Sequence, residues 1–291
     1  MARYSPHPEI LGEIVLEITT RIGCGVGCRF CPQSRLASAY SARRNGGRPE
    51  HLMTLDTFAR CVEKLPAHVE VDFSGFSEPW LNPHCTKMLT HALEKDRHVR
   101  VHTTLQGVKL SDAAVLAAVP SDKIAWFSVH LPSRDGGLER FRIDDEYLEV
   151  LQLILEARSE VKLVYHGTGV EVRVEKLLAE LGIEPGEPRR THTRAGNVDL
   201  TGLHTLRRER APVRLPHKIG CRRPGWRVLL PNGDVTLCCM DYGLDHVLGN
   251  LLESSFESVF WGTEMQQVLR GREDESIDVL CRTCEVWAFA K

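Results

Sequence analysis

Three cysteines near the start of the chain lie in the run Cys24-Gly-Val-Gly-Cys28-Arg-Phe-Cys31-Pro32. This CxxxCxxC spacing puts three thiolates in one loop, and Gly25 and Gly27 let the backbone wrap closely around a bound object. Three thiolates can hold three irons of a 4Fe–4S cube, which leaves the fourth iron open to a small molecule. Zinc is the other reading. A structural zinc wants four ligands, and no further Cys or His follows within the loop, so the spacing favours iron–sulfur. A second group sits in the last quarter: Cys221, the pair Cys238 and Cys239, and the closing Cys281-Arg-Thr-Cys284. A cysteine pair brought beside a CxxC by a hairpin and a helix is a metal signal. Its ligand set is complete at four, so zinc and iron–sulfur both fit. Cys61 and Cys85 stand alone in helical patterns and read as small buried hydrophobes.

The elements that must carry these loops alternate. Residues 13–20 read as a strand, 55–65 as a helix, 69–73 as a strand and 82–93 as a helix. Residues 99–104 read as a strand, 111–119 as a short helix and 124–131 as a strand. A helix over 144–158, a strand over 161–166 and a helix over 170–181 follow, and 189–194 suggests a sixth strand. Strands and helices alternating at this spacing imply βαβ units and a parallel sheet. Six units are too few for a full eight-stranded barrel, so the fold class is α/β, an open partial (β/α)6 barrel. Ligands bind at the carboxyl ends of such strands, where the first cysteine loop emerges. Residues 197–220, irregular and holding Pro212 and Pro216, read as a linker. Beyond them, Pro231-Asn232-Gly233 is a hairpin turn between 227–230 and 235–238. Residues 254–269 then read as a helix capped by Ser254 or Ser255. The expected division is 1–196, 197–220 and 221–291, the last a small α+β domain.

The bulk numbers exclude other classes. The 291 residues are 42% hydrophobic and 26% charged, with a net charge of -2, which offers no global field for nucleic acid or an anionic membrane. Arg189-Arg190 and Arg207-Arg208-x-Arg210 read as solvated faces or local anion contacts. No apolar run is long enough to span a bilayer, and Pro6 and Pro8 interrupt any leader-like segment. A cytoplasmic protein is expected. Ten cysteines in a reducing compartment point to metal or catalysis, not disulfides.

The CxxxCxxC loop after a first strand, with Phe30 just before the third cysteine, resembles the signature of the radical S-adenosylmethionine superfamily. Ser74-Gly75-Phe76-Ser77-Glu78-Pro79 resembles that family's Gly-Gly-Glu-Pro motif, with Ser77 where a second glycine is usual. The resemblance implies that Cys24, Cys28 and Cys31 hold a 4Fe–4S cluster whose open iron chelates S-adenosylmethionine. Reductive cleavage would then give a 5′-deoxyadenosyl radical. It further implies cofactor contacts from Phe30, Ser77, Glu78, Thr103, Thr104, Ser128, His130 and Arg194. Cys221, Gly233, Cys238, Gly249-Asn250, a helix and the terminal CxxC are similar to a SPASM or twitch domain. The shorter twitch form fits, because the sequence ends soon after Cys284. That implies one auxiliary 4Fe–4S cluster on Cys221, Cys238, Cys281 and Cys284. Cys239 is the alternative ligand, or a spare thiol near the substrate.

The reaction is less legible. A fully ligated auxiliary cluster can accept an electron, so a substrate radical beside a hydroxyl could be oxidised to a ketone, as in a twitch-type inositol-amine dehydrogenase. A small polar metabolite such as a sugar, cyclitol or nucleoside is expected, with a flavodoxin- or ferredoxin-type electron donor. Little sequence precedes the first strand, which argues against a peptide-recognition domain and a peptide-modifying SPASM enzyme. Redox-neutral epimerisation, dehydration or decarboxylation is the alternative, with Cys239 a candidate hydrogen donor. A zinc-containing binding module is the alternative outside catalysis. Catalytic candidates by type are Cys239, His130 and Arg194, with Tyr165, His166 and Arg227 behind them.

Overall fold

The structure, a computed structural model, describes residues 13–43, 51–135, 137–186, 188–208 and 214–289. The interrupted leader segment and Arg210 lie outside the described residues. Five strands alternate with helices: β1 (Ile14–Ile18), β2 (Val69–Phe73), β3 (Val99–Thr103), β4 (Ile124–His130) and β5 (Lys162–Val164). The helices between and around them are α1 (Gln33–Ala42), α2 (Leu55–Glu63), α3 (Cys85–Glu94), α4 (Leu110–Ala118), α5 (Asp145–Ala157) and α6 (Val172–Glu180). Helix α1, inside the segment that follows the cysteine loop, has no counterpart in the sequence reading.

Local chemistry sets the helix ends. Thr54 and Asp144 accept from the backbone N–H groups of Thr57 and Tyr147, closing the first turns of α2 and α5. Thr57, Phe58, Cys61 and Val62 fall on the buried face of α2. Cys61 and Cys85 are fully buried among apolar side chains, as small hydrophobes.

The sixth strand expected at 189–194 is only β6 (Arg190–Thr191). It pairs with β7 (Arg207–Arg208), away from the main sheet. The C-terminal segment instead extends that sheet. After β8 (Ile219–Cys221), β9 (Trp226–Leu229) pairs parallel with β1, and β10 (Asp234–Thr236) and β11 (Val247–Asn250) follow antiparallel. The sheet order is β11-β10-β9-β1-β2-β3-β4-β5. The six parallel strands of this sheet are therefore β1–β5 plus β9. The Asn232-Gly233 turn forms as expected: Gly233 is left-handed, and Leu230 N donates to Asp234 O at 2.8 Å.

The helix expected over 254–269 is two, α7 (Phe256–Phe260) and α8 (Thr263–Glu273). Gly262 sits at the break in extended backbone, and a Cβ there would stand 2.2 Å from the Ser258 carbonyl oxygen, so this junction admits only glycine. Ser255, not Ser254, caps α7. The chain closes on β12 (Trp287–Phe289), antiparallel to β8. No helix among the described residues is long and apolar enough to cross a membrane.

Arg282 fastens the last cysteine turn. It is fully buried, donating to Gly271 O and Leu215 O at 3.0 Å each and to His217 O at 2.5 Å. Arg282→Met would leave these carbonyls unpaired and is expected to lower unfolding stability by about 3 kcal/mol. Urea unfolding of anaerobically prepared protein reads this directly, and an unchanged midpoint would show that the guanidinium is not the tie.

Candidate active site and iron–sulfur sites

The first cysteine loop leaves β1 at its carboxyl end and is held by backbone pairing to the segment around Leu138. Arg29 N donates to Gly137 O at 3.0 Å, and Glu139 N and Arg140 N donate to Gly27 O and Val26 O at 3.1 Å each. Gly27 is left-handed, and a Cβ there would lie 3.1 Å from the Arg140 side chain. Gly25 is different. Its φ is not left-handed and nothing approaches within 4 Å, so it is not required for tight wrapping. The loop after β2 packs beneath. Gly75 has φ +60°, and a Cβ would meet Thr19 Oγ1 at 2.5 Å, so only glycine lets this motif lie against β1.

Both oxygens of Glu78 are engaged: Oε1 accepts from Thr103 Oγ1 at 2.7 Å and Trp80 N at 3.3 Å, and Oε2 from Thr104 N at 2.6 Å and Thr104 Oγ1 at 2.7 Å. The carboxylate thus locks the motif to the end of β3, while Glu78 N donates to Cys24 Sγ at 3.4 Å.

These groups line a cavity of roughly 430 Å³ inside the barrel. Cys24, Cys28, Cys31, Phe30, Ser77, Glu78, Thr103, Thr104, Ser128, His130 and Arg194 all border it, so every cofactor-contact candidate reaches one site. Ser128 Oγ is 2.7 Å from His102 Nδ1. Phe30, His130 and His166 pack with ring centroids 4.6–5.8 Å apart. Burial, reinforced by nearby cationic groups, pushes His102 and His130 down to about 3 and His166 to about 4, so all three are neutral near pH 7. Tyr165 instead lies in the apolar core, and Arg227 belongs to the second cysteine group.

Sequence reasoning missed the far wall of this cavity: Glu17, Arg100, His102, Trp126, Arg189, Arg223 and Tyr242. Glu17 sits in the apolar strand Ile-Val-Leu-Glu-Ile and registers against Asp72 of Val-Glu-Val-Asp-Phe. An acid at a buried position in each of two adjacent strands, Glu17 and Asp72, was the available signal. Several buried polar atoms here meet no protein partner, among them Glu17 Oε2, Ser77 Oγ and Trp126 Nε1. Unpaired buried groups around a void are what a polar ligand would satisfy.

The second group surrounds a smaller cavity, about 50 Å³, lined by Cys221, Cys238, Cys281 and Cys284 with Arg227, Met265 and Arg272. The adjacent cysteines part company. Cys238 faces Cys281 and Cys284, whereas Cys239, which borders both cavities, hydrogen-bonds the Glu17 carboxyl. Glu285 ties this turn to the Arg194 loop, accepting from Thr193 N at 2.5 Å and Ala195 N at 3.1 Å.

The thiols fit iron–sulfur clusters. Burial pushes Cys24, Cys28 and Cys238 upward, and Cys281 and Cys284 to about 11 and 12, so they ionise only where a metal offsets the charge. Cys24, Cys28 and Cys31 border the larger cavity, and Cys221, Cys238, Cys281 and Cys284 the smaller one.

Residues 221–285 match the SPASM family, an iron–sulfur cluster-binding domain. The whole chain resembles three solved structures. BtrN in complex with AdoMet and 2-DOIA is 15% identical, with 90% of this chain and 87% of that one covered, at TM-score 0.57. Streptococcus suis SuiB bound to precursor peptide SuiA is 15% identical over 94% and 70%, at 0.59. The anSMEcpe structure with bound AdoMet is 14% identical over 92% and 81%, at 0.51. No curated protein matches the chain. The molecule therefore has the fold of the radical S-adenosylmethionine enzymes, completed by a SPASM/twitch iron–sulfur domain.

Burial, opposed by Arg223, holds Glu17 up to about 7 from an ordinary 4.5. A carboxyl that binds its proton more tightly when folded loses stability as pH rises from about 4.5 to about 7. Glu17→Gln is therefore expected to gain on wild type at pH 8, by up to about 3 kcal/mol, and the gain should vanish toward pH 4. Urea midpoints across that range measure it, and a pH-independent difference would contradict it.

Proposed function

We propose that this chain is a radical S-adenosylmethionine oxidoreductase that oxidises an alcohol of a small polar metabolite, such as a sugar, cyclitol or nucleoside. The observation that carries the reading is one cavity bordered by Cys24, Cys28 and Cys31 and also by Cys239, the chain neighbour of Cys238, with the buried Glu17 carboxyl among its lining residues. When bound, the N-terminal cluster and S-adenosylmethionine supply a 5′-deoxyadenosyl radical for hydrogen abstraction, and the auxiliary cluster supplies an electron acceptor.

The chain's own residues do the rest. Cys24, Cys28 and Cys31 hold the N-terminal cluster, and Cys221, Cys238, Cys281 and Cys284 the auxiliary one. Phe30, Ser77, Thr103, Thr104, Ser128, His130 and Arg194 seat the cofactor, and Glu78 keeps the motif against β3. Neutral His130 can accept or donate a hydrogen bond without adding charge. Glu17 takes the hydroxyl proton of the substrate. BtrN, crystallised with AdoMet and 2-DOIA, supports a small-molecule substrate.

One observation favours a second reading. The Cys239 thiol reaches the same cavity beside Glu17 and could return a hydrogen atom, which would make the enzyme an epimerase.

The division into 1–196, 197–220 and 221–291 is proposed as a division of cluster sites, since β9 shares the barrel's sheet. A cytoplasmic setting and a flavodoxin- or ferredoxin-type donor complete the proposal.

Anaerobic reconstitution tests it. About eight iron and eight sulfide per chain are expected, together with reductive formation of 5′-deoxyadenosine that is lost in Cys28→Ala. Zinc without sulfide would sink the reading. Cys238→Ala is expected to halve the iron, whereas Cys239→Ala keeps it. Deuterium passing from a candidate alcohol into 5′-deoxyadenosine, with ketone formed, would establish the reaction; product of inverted configuration would favour the epimerase.

A further inference from the structure

A phenol that the proposed chemistry does not use is pressed against the first cysteine loop. Tyr242 is buried, and its ring lies 4.5 Å from that of Phe76, within the motif that follows β2. Its hydroxyl oxygen is 3.4 Å from Cys31 Sγ. A metal-bound thiolate has no proton to give, so in the loaded protein the phenol must be the donor. Gln33 Nε2 reaches the same sulfur at 3.3 Å and also donates to Phe76 O at 2.5 Å. Cys31 therefore takes donors from two directions, one local and one from the far end of the chain.

A hydrogen bond to a cluster thiolate favours the oxidation state with more negative charge, the reduced one. We propose that Tyr242 is a positioning residue whose hydrogen bond to Cys31 Sγ raises the reduction potential of the N-terminal cluster. This rests on the reading that Cys24, Cys28 and Cys31 hold that cluster. The tyrosine is carried by the same short turn as Cys238, between β10 and β11.

The test uses the full chain, reconstituted anaerobically and titrated with dithionite under electron paramagnetic resonance. The N-terminal signal is the one that shifts when S-adenosylmethionine is added; the potential itself is measured without it. Tyr242→Phe keeps the ring against Phe76 and removes only the donor. It is expected to make reduction about tenfold less favourable, about 59 mV for one electron. Site-specific 3-fluorotyrosine at position 242, a more acidic phenol, is expected to shift the potential the other way by less. Opposite shifts from two near-isosteric side chains would not come from a merely structural role. If the Phe variant fails to fold, the fluorinated protein decides alone. A cofactor-responsive cluster that keeps the wild-type potential in the variants would overturn the inference and leave the cluster assignment standing. A wild-type protein with no cofactor-responsive cluster would remove both.

Discussion

Asp241 is the knot on which both cysteine sites depend. It is fully buried, and its carboxylate accepts from Thr236 Oγ1 at 2.6 Å, Asp245 N at 2.8 Å and His246 N at 3.0 Å. These bonds close the loop between β10 and β11 into one rigid turn. Cys238, Cys239, Met240 and Tyr242 all project from that turn. Asn197 Nδ2 adds a bond to Met240 O at 3.0 Å while donating to Arg194 O at 2.7 Å, so the Arg194 loop rides on the same turn. A buried acid with several well-placed donors is stable where an unpaired one would not be. The contrast with Glu17, left with an unpaired oxygen a short distance away, is what separates scaffold from site.

The reaction chamber is polar, and its lining cations are Arg100, Arg189, Arg194 and Arg223. Its histidines are neutral, and Arg100 is held by Glu70 at 2.9 Å and by Glu13. Its guanidinium also lies 5.0 Å from the Trp226 ring. Arg194, in left-handed backbone, borders the chamber and lies within electrostatic reach of Tyr242, Cys239, Cys31 and Glu17. A ligand entering such a space meets donors and acceptors already oriented, with their desolvation already complete before it arrives. That is the setting a reactive radical needs, since water is displaced and the substrate is held by fixed groups.

How much of this was legible follows from the range of the interactions. Strand β2 and the Asn232-Gly233 turn are set by period and local turn chemistry, and they were readable. The three-cysteine loop was readable as a group of converging thiols because its cysteines are close in sequence. The 254–269 helix was read as continuous, and as ending short of Glu273, because apolar periodicity does not reveal the break at Gly262. Helix α1 was missed because the polar, weakly amphipathic run Gln-Ser-Arg-Leu-Ala-Ser-Ala-Tyr shows little apolar period. Tyr242 on Cys31, and Glu17 beside Cys239, join residues from opposite ends of the chain, and neither carries a local signal. Arg227 looked like a candidate base by type alone. Its guanidinium is spent on the carbonyls of Pro224 and Trp226, beside the second cysteine group.

The difference between Cys238 and Cys239 comes from the turn that follows β10. Strand β9 runs parallel to β1, and β10 turns back along it, with Val235 opposite Leu229 and Thr236 opposite Val228. The returning strand ends at Thr236, and the cysteine pair follows it in a turn where Asp241 N donates to Cys238 O at 3.0 Å. In that turn Cys238 lines only the smaller cavity, whereas Cys239 borders both. The pairing of β10 with β9 and the Asp241 carboxylate together set where the turn, and so each thiol, lies. Because the hairpin is hydrogen-bonded to the barrel's own sheet, the distance between the two cysteine sites is fixed by the strands themselves.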